Sequence, residues 1–226
     1  YAGVTWSNIP ASDDRRIFIG WMSNWKYATG VPTAVWRSAT TIPRELSLKA
    51  DNNHYFLTSK PVREIGDLRS KSDTVSIKQQ SFTGEKEISS GKVSLMQSEL
   101  FFSFNISDKS VDSLGIILEN GLNERFIIGY SVVLKQFYID RRTAGNSGFS
   151  KEFADISTAP YVPGATLKLH LLVDASSVEL FVDDGRLVMT TLVFPIEKFT
   201  RLKLFSKGGD GLLNKAVFWG IEKIWL

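Results

Sequence analysis

Few side chains in this sequence are able to do covalent or acid–base chemistry. There is no cysteine, which removes thiolate nucleophiles, disulfides and cysteine-ligated metal sites together. The two histidines, His54 and His170, stand in strand-like runs without metal-ligand spacing, so no metal site is expected. Gly208-Gly209 with Gly211 follows a strand-like run but opens no helix, which reads as a turn rather than a phosphate cradle, and no cofactor is implied. Carboxylates remain. A glycosidase sets two of them about 5–5.5 Å apart for retention and farther apart for inversion. Asp13-Asp14, Asp183-Asp184 and Asp210 all lie in turn-like contexts, where aspartate is favoured for its local hydrogen bonds, and a structural role is expected for each.

The stretch from Gly20 to Trp36 (GWMSNWKYATGVPTAVW) has a different character. Trp21, Asn24, Trp25 and Tyr27 gather where an apolar run leaves its strand. Aromatic faces stack on sugar C–H surfaces, and an amide beside them bonds hydroxyls. Tryptophan is also highly buried on average, so the same residues serve equally well as core. From the residues alone the two readings stand level.

The elements that must position these groups are strands. Runs rich in Val, Ile, Leu and Phe recur at short intervals, separated by Gly, Pro, Asn, Asp and Ser, and helical periodicity of useful length is missing. The chain is therefore all-β. In Leu167 to Val173 apolar residues fall at every second position, which puts Leu167, Leu169, Leu171 and Val173 on one buried face with Lys168 and His170 opposite. Asp184-Gly185 is expected to turn one hairpin and Asp51-Asn52-Asn53 another. With 226 residues, 43% of them apolar, the chain can bury a core without disulfides. No run approaches the roughly 18 apolar residues of a membrane-spanning helix. Twenty-seven basic against 24 acidic residues, spread evenly, form no concentrated basic face and speak against nucleic acid.

Four of the six tryptophans fall in residues 1–57, and a polar stretch with Pro61 and Gly66 follows at 58–73. The expected division is a small sheet in 1–57, a linker at 58–73 and a self-contained sandwich in 74–226. Three or four strands are marginal alone, so the small sheet should lean on the sandwich or on further sheet. The chain opens at Tyr1 inside a strand-like run, without initiator methionine or signal segment, and reads as a piece of something longer.

Tyr1 to Trp6 (YAGVTW), Arg16 to Tyr27 (RIFIGWMSNWKY) and Pro32 to Leu46 (PTAVWRSATTIPREL) carry a family resemblance, continued by Pro61 to Glu64, Tyr138 to Arg142 (YIDRR), Asp174 to Gly185 (DASSVELFVDDG) and Leu192 to Pro195. They resemble glycoside hydrolase family 32, the invertases, levanases, inulinases and other fructan hydrolases, over nearly the whole chain. The resemblance implies the last blade of a five-bladed β-propeller followed by a concanavalin- or lectin-like β-sandwich. It also implies a retaining hydrolase of β-fructosidic bonds in fructans or sucrose, with an Asp nucleophile and a Glu acid. The family's Asn-Asp-Pro and Arg-Asp-Pro segments and its Glu-Cys step are absent, because the chain has no Asp-Pro step and no Cys. No catalytic residue is expected in this chain, which should be inactive alone. Its expected partners are the preceding propeller blades and a fructan or sucrose substrate. Trp25, in the family's Asn-Trp step, matches a wall of the fructose subsite, with Trp21 and Asn24 as secondary candidates. Trp21 could instead pack between blades, and Asn24 could bond backbone. Asp174, Ser176, Ser177 and Glu179 read as marks of the fold. The resemblance implies a secreted, periplasmic or cell-surface place in a bacterium. A non-catalytic carbohydrate-binding sandwich is the alternative function.

Overall fold

The computed structural model describes residues 1–51, 54–107 and 110–224. In chain order its strands are β1 (Val4–Thr5), β2 (Arg16–Ile19), β3 (Arg44–Asp51), β4 (His54–Pro61), β5 (Arg69–Ile77), β6 (Gln80–Phe82), β7 (Glu85–Ile88), β8 (Ser98–Asn105) and β9 (Ser113–Glu119). They continue with β10 (Arg125–Ser131), β11 (Gln136–Thr143), β12 (Ile156–Pro160), β13 (Thr166–Asp174), β14 (Ser177–Val182), β15 (Leu187–Leu192), β16 (Arg201–Lys207) and β17 (Gly211–Ile221). Short 3-10 turns occupy Ala28–Gly30 and Arg63–Leu68.

The first four strands make one antiparallel sheet in the order β1-β2-β3-β4. The others make two sheets packed face to face. One runs β12-β11-β10-β9-β16-β7, and the other β15-β14-β13-β8-β17-β5 with β6 added to β17. Between them lies one continuous core that includes Phe102, Phe104, Phe126, Phe137 and Phe218. The alternation of β13 comes out as expected, with Leu167, Leu169, Leu171 and Val173 in this core. Lys168 and His170 point away from it.

The polar stretch 58–73 is not a linker at either end. Thr58 to Pro61 complete β4, paired with Arg44 to Ser47 of β3, and Arg69 already begins β5, paired with Ile221 of β17. The connection shrinks to Val62 and the 3-10 turn. Both misread segments are edge strands, whose exposed faces tolerate polar side chains and so leave no hydrophobic signature.

The β14–β15 hairpin turns one residue earlier than expected. Gly185 N–H bonds Val182 O at 2.9 Å, which puts Asp183 and Asp184 at the turn centre with φ of +43° and +62°. Gly185 is needed for a different reason. A Cβ on it would sit 2.1 Å from the carbonyl oxygen of Ser59, where β4 meets the sandwich, and its φ of +80° favours glycine again. Strands β3 and β4 flank the other expected turn, of which Asn52 and Asn53 lie outside the described residues.

Candidate functional site

The small sheet seats on the outer face of the seven-stranded sheet through polar groups. Arg44 on β3 donates to Glu179 on β14 from Nε at 3.0 Å and also from Nη2, while Ile42 N–H reaches the other carboxylate oxygen at 2.7 Å. Arg44 Nη2 also donates to Thr190 Oγ1 at 2.6 Å, and its guanidinium lies over Phe181. Burial pushes the Glu179 carboxyl up, the direction seen in general acids, with Arg44 and Ile42 N–H opposing it. Three hydrogen bonds from Arg44 and Ile42 tie the carboxylate to β3 and its approach, so it serves as a clamp.

A second contact carries the aromatic segment. Gly20 N–H bonds Thr41 Oγ1 at 3.0 Å and Trp21 bridges to Thr40, which ends β2 in register. The chain then dips inward, so that Met22 and Val31 are buried against Phe153, Leu192 and Phe194 of the sandwich. Between those two anchors the loop bulges outward. Asn24 O accepts from Tyr27 N–H and Ala28 N–H at 3.0 and 2.8 Å, and Asn24 Oδ1 accepts from Lys26 N–H at 2.9 Å. Tyr27 packs edge-on against Phe153 with centroids 5.2 Å apart. Beneath both, the buried guanidinium of Arg141 lies 3.7 Å from the Phe153 ring centre and donates to Phe153 O, Thr191 Oγ1 and Leu192 O.

This scaffold holds out an aromatic row. Trp25 is 73% exposed, and its ring centre lies 5.1 Å from that of Trp21. On the other side of Trp21, Tyr1 stands 5.9 Å away, tied down by a 2.7 Å bond from Trp21 N–H to Tyr1 O. Of the expected residues, Trp21 and Trp25 therefore come together, Trp25 exposed and Trp21 half-buried behind it. Asn24 is exposed beside them, yet its side-chain oxygen is committed to the turn. Tyr1 was missed because it lies far from the loop in sequence, and Arg141 and Met22 because a lone basic or apolar residue carries no positional signal.

The carboxylates do not assemble. Asp13 is held at about 2 by its hydrogen bonds to the Arg15 side chain and backbone. Asp183 accepts from Tyr161 Oη at 2.6 Å and Lys168 N–H at 2.8 Å; Asp184 lies beside Lys60 and Lys168; Asp210 accepts from Thr83. Among the described residues no three His, Cys, Asp or Glu side chains group as metal ligands. What remains chemically is a surface suited to stacking against a ring.

Comparison with known proteins agrees with this architecture. Residues 64–220 match the model described as glycosyl hydrolases family 32 C terminal, and residues 1–61 match the family's N-terminal domain. A levanase of Bacillus subtilis (strain 168) is 36% identical over the whole chain, which spans 33% of that protein. An extracellular exo-inulinase of Aspergillus ficuum is 31% identical over 92% of the chain and 39% of its own length. The solved exo-inulinase of Aspergillus awamori superposes on the whole chain with a TM-score of 0.86 at 27% identity, the chain covering 43% of it. The chain thus spans well under half the length of these relatives. The four-stranded sheet corresponds to propeller and the paired sheets to the β-sandwich of these enzymes. The chain belongs to glycoside hydrolase family 32.

Proposed function

We propose that the chain forms the closing blade and sandwich of a retaining fructan hydrolase, and that Trp25, backed by Trp21 and flanked by Asn24, is a wall of its sugar subsite. Levanase and exo-inulinase relatives supply the substrate class, the β-fructosidic bonds of fructans such as levan or inulin, and sucrose is carried over from the family resemblance alone. One observation carries the site. An indole is held 73% exposed on a loop whose two ends are pinned in an apolar cluster shared with the sandwich. An exposed tryptophan needs a use, and a rigid mount lowers the entropy lost on binding.

The reacting carboxylates lie outside this chain, in propeller segments containing the Asn-Asp-Pro and Arg-Asp-Pro steps that it lacks. Those blades would cover the apolar side chains that the blade leaves bare. The sandwich then stabilises the propeller from the side. Action outside the cell follows the printed name of the inulinase relative; no helix among the described residues is long and apolar enough to cross a membrane.

In the intact hydrolase, Trp25→Ala should raise KM and lower kcat, because positioning the sugar contributes to the transition state. Unchanged constants would remove Trp25 from the site. The isolated chain should release no fructose from sucrose, inulin or levan, and clear release would refute the division of labour.

A further inference from the structure

The blade docks on one outer face of the sandwich, at β14, β15 and the turn between them. The opposite outer face, that of the six-stranded sheet, carries a cleft of about 290 Å³ whose lining shares no residue with the aromatic row. Its floor is set by one rung of the sheet. Tyr138, Gly129, Gly115 and Phe205 pair in sequence across β11, β10, β9 and β16. A Cβ at Gly129 would sit 2.2 Å from Cζ of Tyr138, and one at Gly115 would sit 2.9 Å from the Phe205 ring and 2.1 Å from Ile128 O. Neighbouring glycines therefore let two aromatic rings lean in over the sheet from opposite sides. On the next rung Ile127 pairs with Ile117, and both extend the apolar lining.

Polar groups stand at one rim. Arg125 Nη2 donates to Glu85, and Lys203 lies 3.6 Å from the same carboxylate. The Nε of Arg125 is buried without a hydrogen bond, 3.7 Å from Glu119 Oε2. The cleft thus offers aromatic and aliphatic surface beside fixed donors and acceptors of both signs. A compact anion or cation would meet the wrong charge as often as the right one. A neutral ring with C–H faces and many hydroxyls fits both parts, since hydrogen bonds to charged groups are the stronger ones. The volume lies just below the roughly 300–1,000 Å³ of ligand sites, room for one sugar unit of a longer chain.

We propose that this face is a second carbohydrate site, which binds a sugar unit of a fructan chain against the Tyr138 ring, above a floor that the buried Phe205 closes, with Arg125 and Glu85 at its hydroxyls. The choice of fructan rests on the hydrolase reading; the cleft itself does not. Such a site raises the effective concentration of polymer near the catalytic end without taking part in cleavage.

The test is NMR titration of the chain with inulin-type and levan-type oligosaccharides, alongside a maltooligosaccharide. Fructan oligosaccharides should shift the amides of Gly115, Gly129 and Tyr138 saturably. Tyr138→Ala should weaken that binding about tenfold, a loss of about 1.4 kcal/mol, whereas Trp25→Ala leaves it intact. Tyr138→Phe, which keeps the ring, should retain most of the affinity, and an unchanged unfolding midpoint would show each variant folded. No saturable shift with fructans, equal affinity in Tyr138→Ala, or binding confined to the maltooligosaccharide would overturn the proposal. Failure of the hydrolase reading shows elsewhere, as an intact protein that releases no fructose from inulin or levan.

Discussion

In the sandwich every residue of β9 is buried, and core side chains such as Leu100, Phe102 and Leu171 have no exposed surface at all. In the blade, only Arg44 and Thr58 are buried among the residues of its four strands, while Leu48, Tyr55 and Leu57 are more than half exposed. Both regions are built of antiparallel strands with similar residue types, yet they differ in what lies across from them. The sandwich supplies its own second layer. The blade has the sandwich along one side and solvent on the rest, so its order depends on the seams at Arg44, at Met22 and where Ser59 meets Gly185.

The largest effects should therefore come from the sandwich. Phe102 stacks on Phe104 and touches Phe218 at the centre of the core. Phe102→Ala should cost about 3–5 kcal/mol in denaturant unfolding, while Tyr55→Ala on the blade should stay within about 0.5 kcal/mol. Comparable losses at the two positions would break the contrast.

Next comes the seam. Glu179→Ala leaves the Arg44 guanidinium buried without its partner, a loss of about 3–5 kcal/mol. That loss should fall on the blade: faster proteolysis within residues 1–61, with amides of β8 and β13 still protected in hydrogen exchange. A joint replacement, Arg44→Met with Glu179→Leu, should restore much of the order, because it removes both desolvated charges. Uniform loss of protection across the sandwich would show that the clamp stabilises the sandwich itself.

These regions were unequally legible in the sequence. Strict alternation revealed β13 because one of its faces is dry and the other is not. The Gly20 to Trp36 loop stood out because so many aromatic residues gather in a short stretch. The Arg44–Glu179 clamp could not be seen, since its partners lie 135 residues apart and each alone reads as a surface charge. Edge strands such as β5 and β7 hid for the opposite reason, their exposed sides carrying ordinary polar residues. Glu179 was noticed only as a mark of the fold, and the structure gives that mark a physical content.

A pH experiment separates a second buried carboxylate from the seam. Burial alone would raise Glu99, but hydrogen bonds from Arg69 at 2.6 and 2.8 Å and one shared with His170 at 2.7 Å outweigh it and hold the carboxyl down at about 2. A carboxyl depressed on folding contributes stability above its ordinary value near 4.5, and that contribution disappears as pH falls toward 2. Glu99→Gln should therefore flatten the acid limb of the stability profile and lower stability at neutral pH by a few kcal/mol. Because Glu99 bonds only sandwich residues, the acid loss should appear in sandwich amides before it appears in Trp25 fluorescence. The reverse order would mean that the blade seam fails first.

The smallest expected effect is the most pointed. Trp25 is mounted by the loop but contributes little to it, since most of its surface is already in water. Trp25→Ala in this chain should change the unfolding free energy by no more than about 0.5 kcal/mol. Met22→Ala, three residues away, empties a buried position in the cluster with Phe153 and Phe194 and should cost about 2–5 kcal/mol. If the loop exists to present the indole, both substitutions should damage sugar handling in the intact hydrolase, one by removing the surface and the other by loosening its mount. A stability loss from Trp25→Ala as large as that from Met22→Ala would mean that the exposed ring holds the blade together, and its claim to a sugar would go with that result.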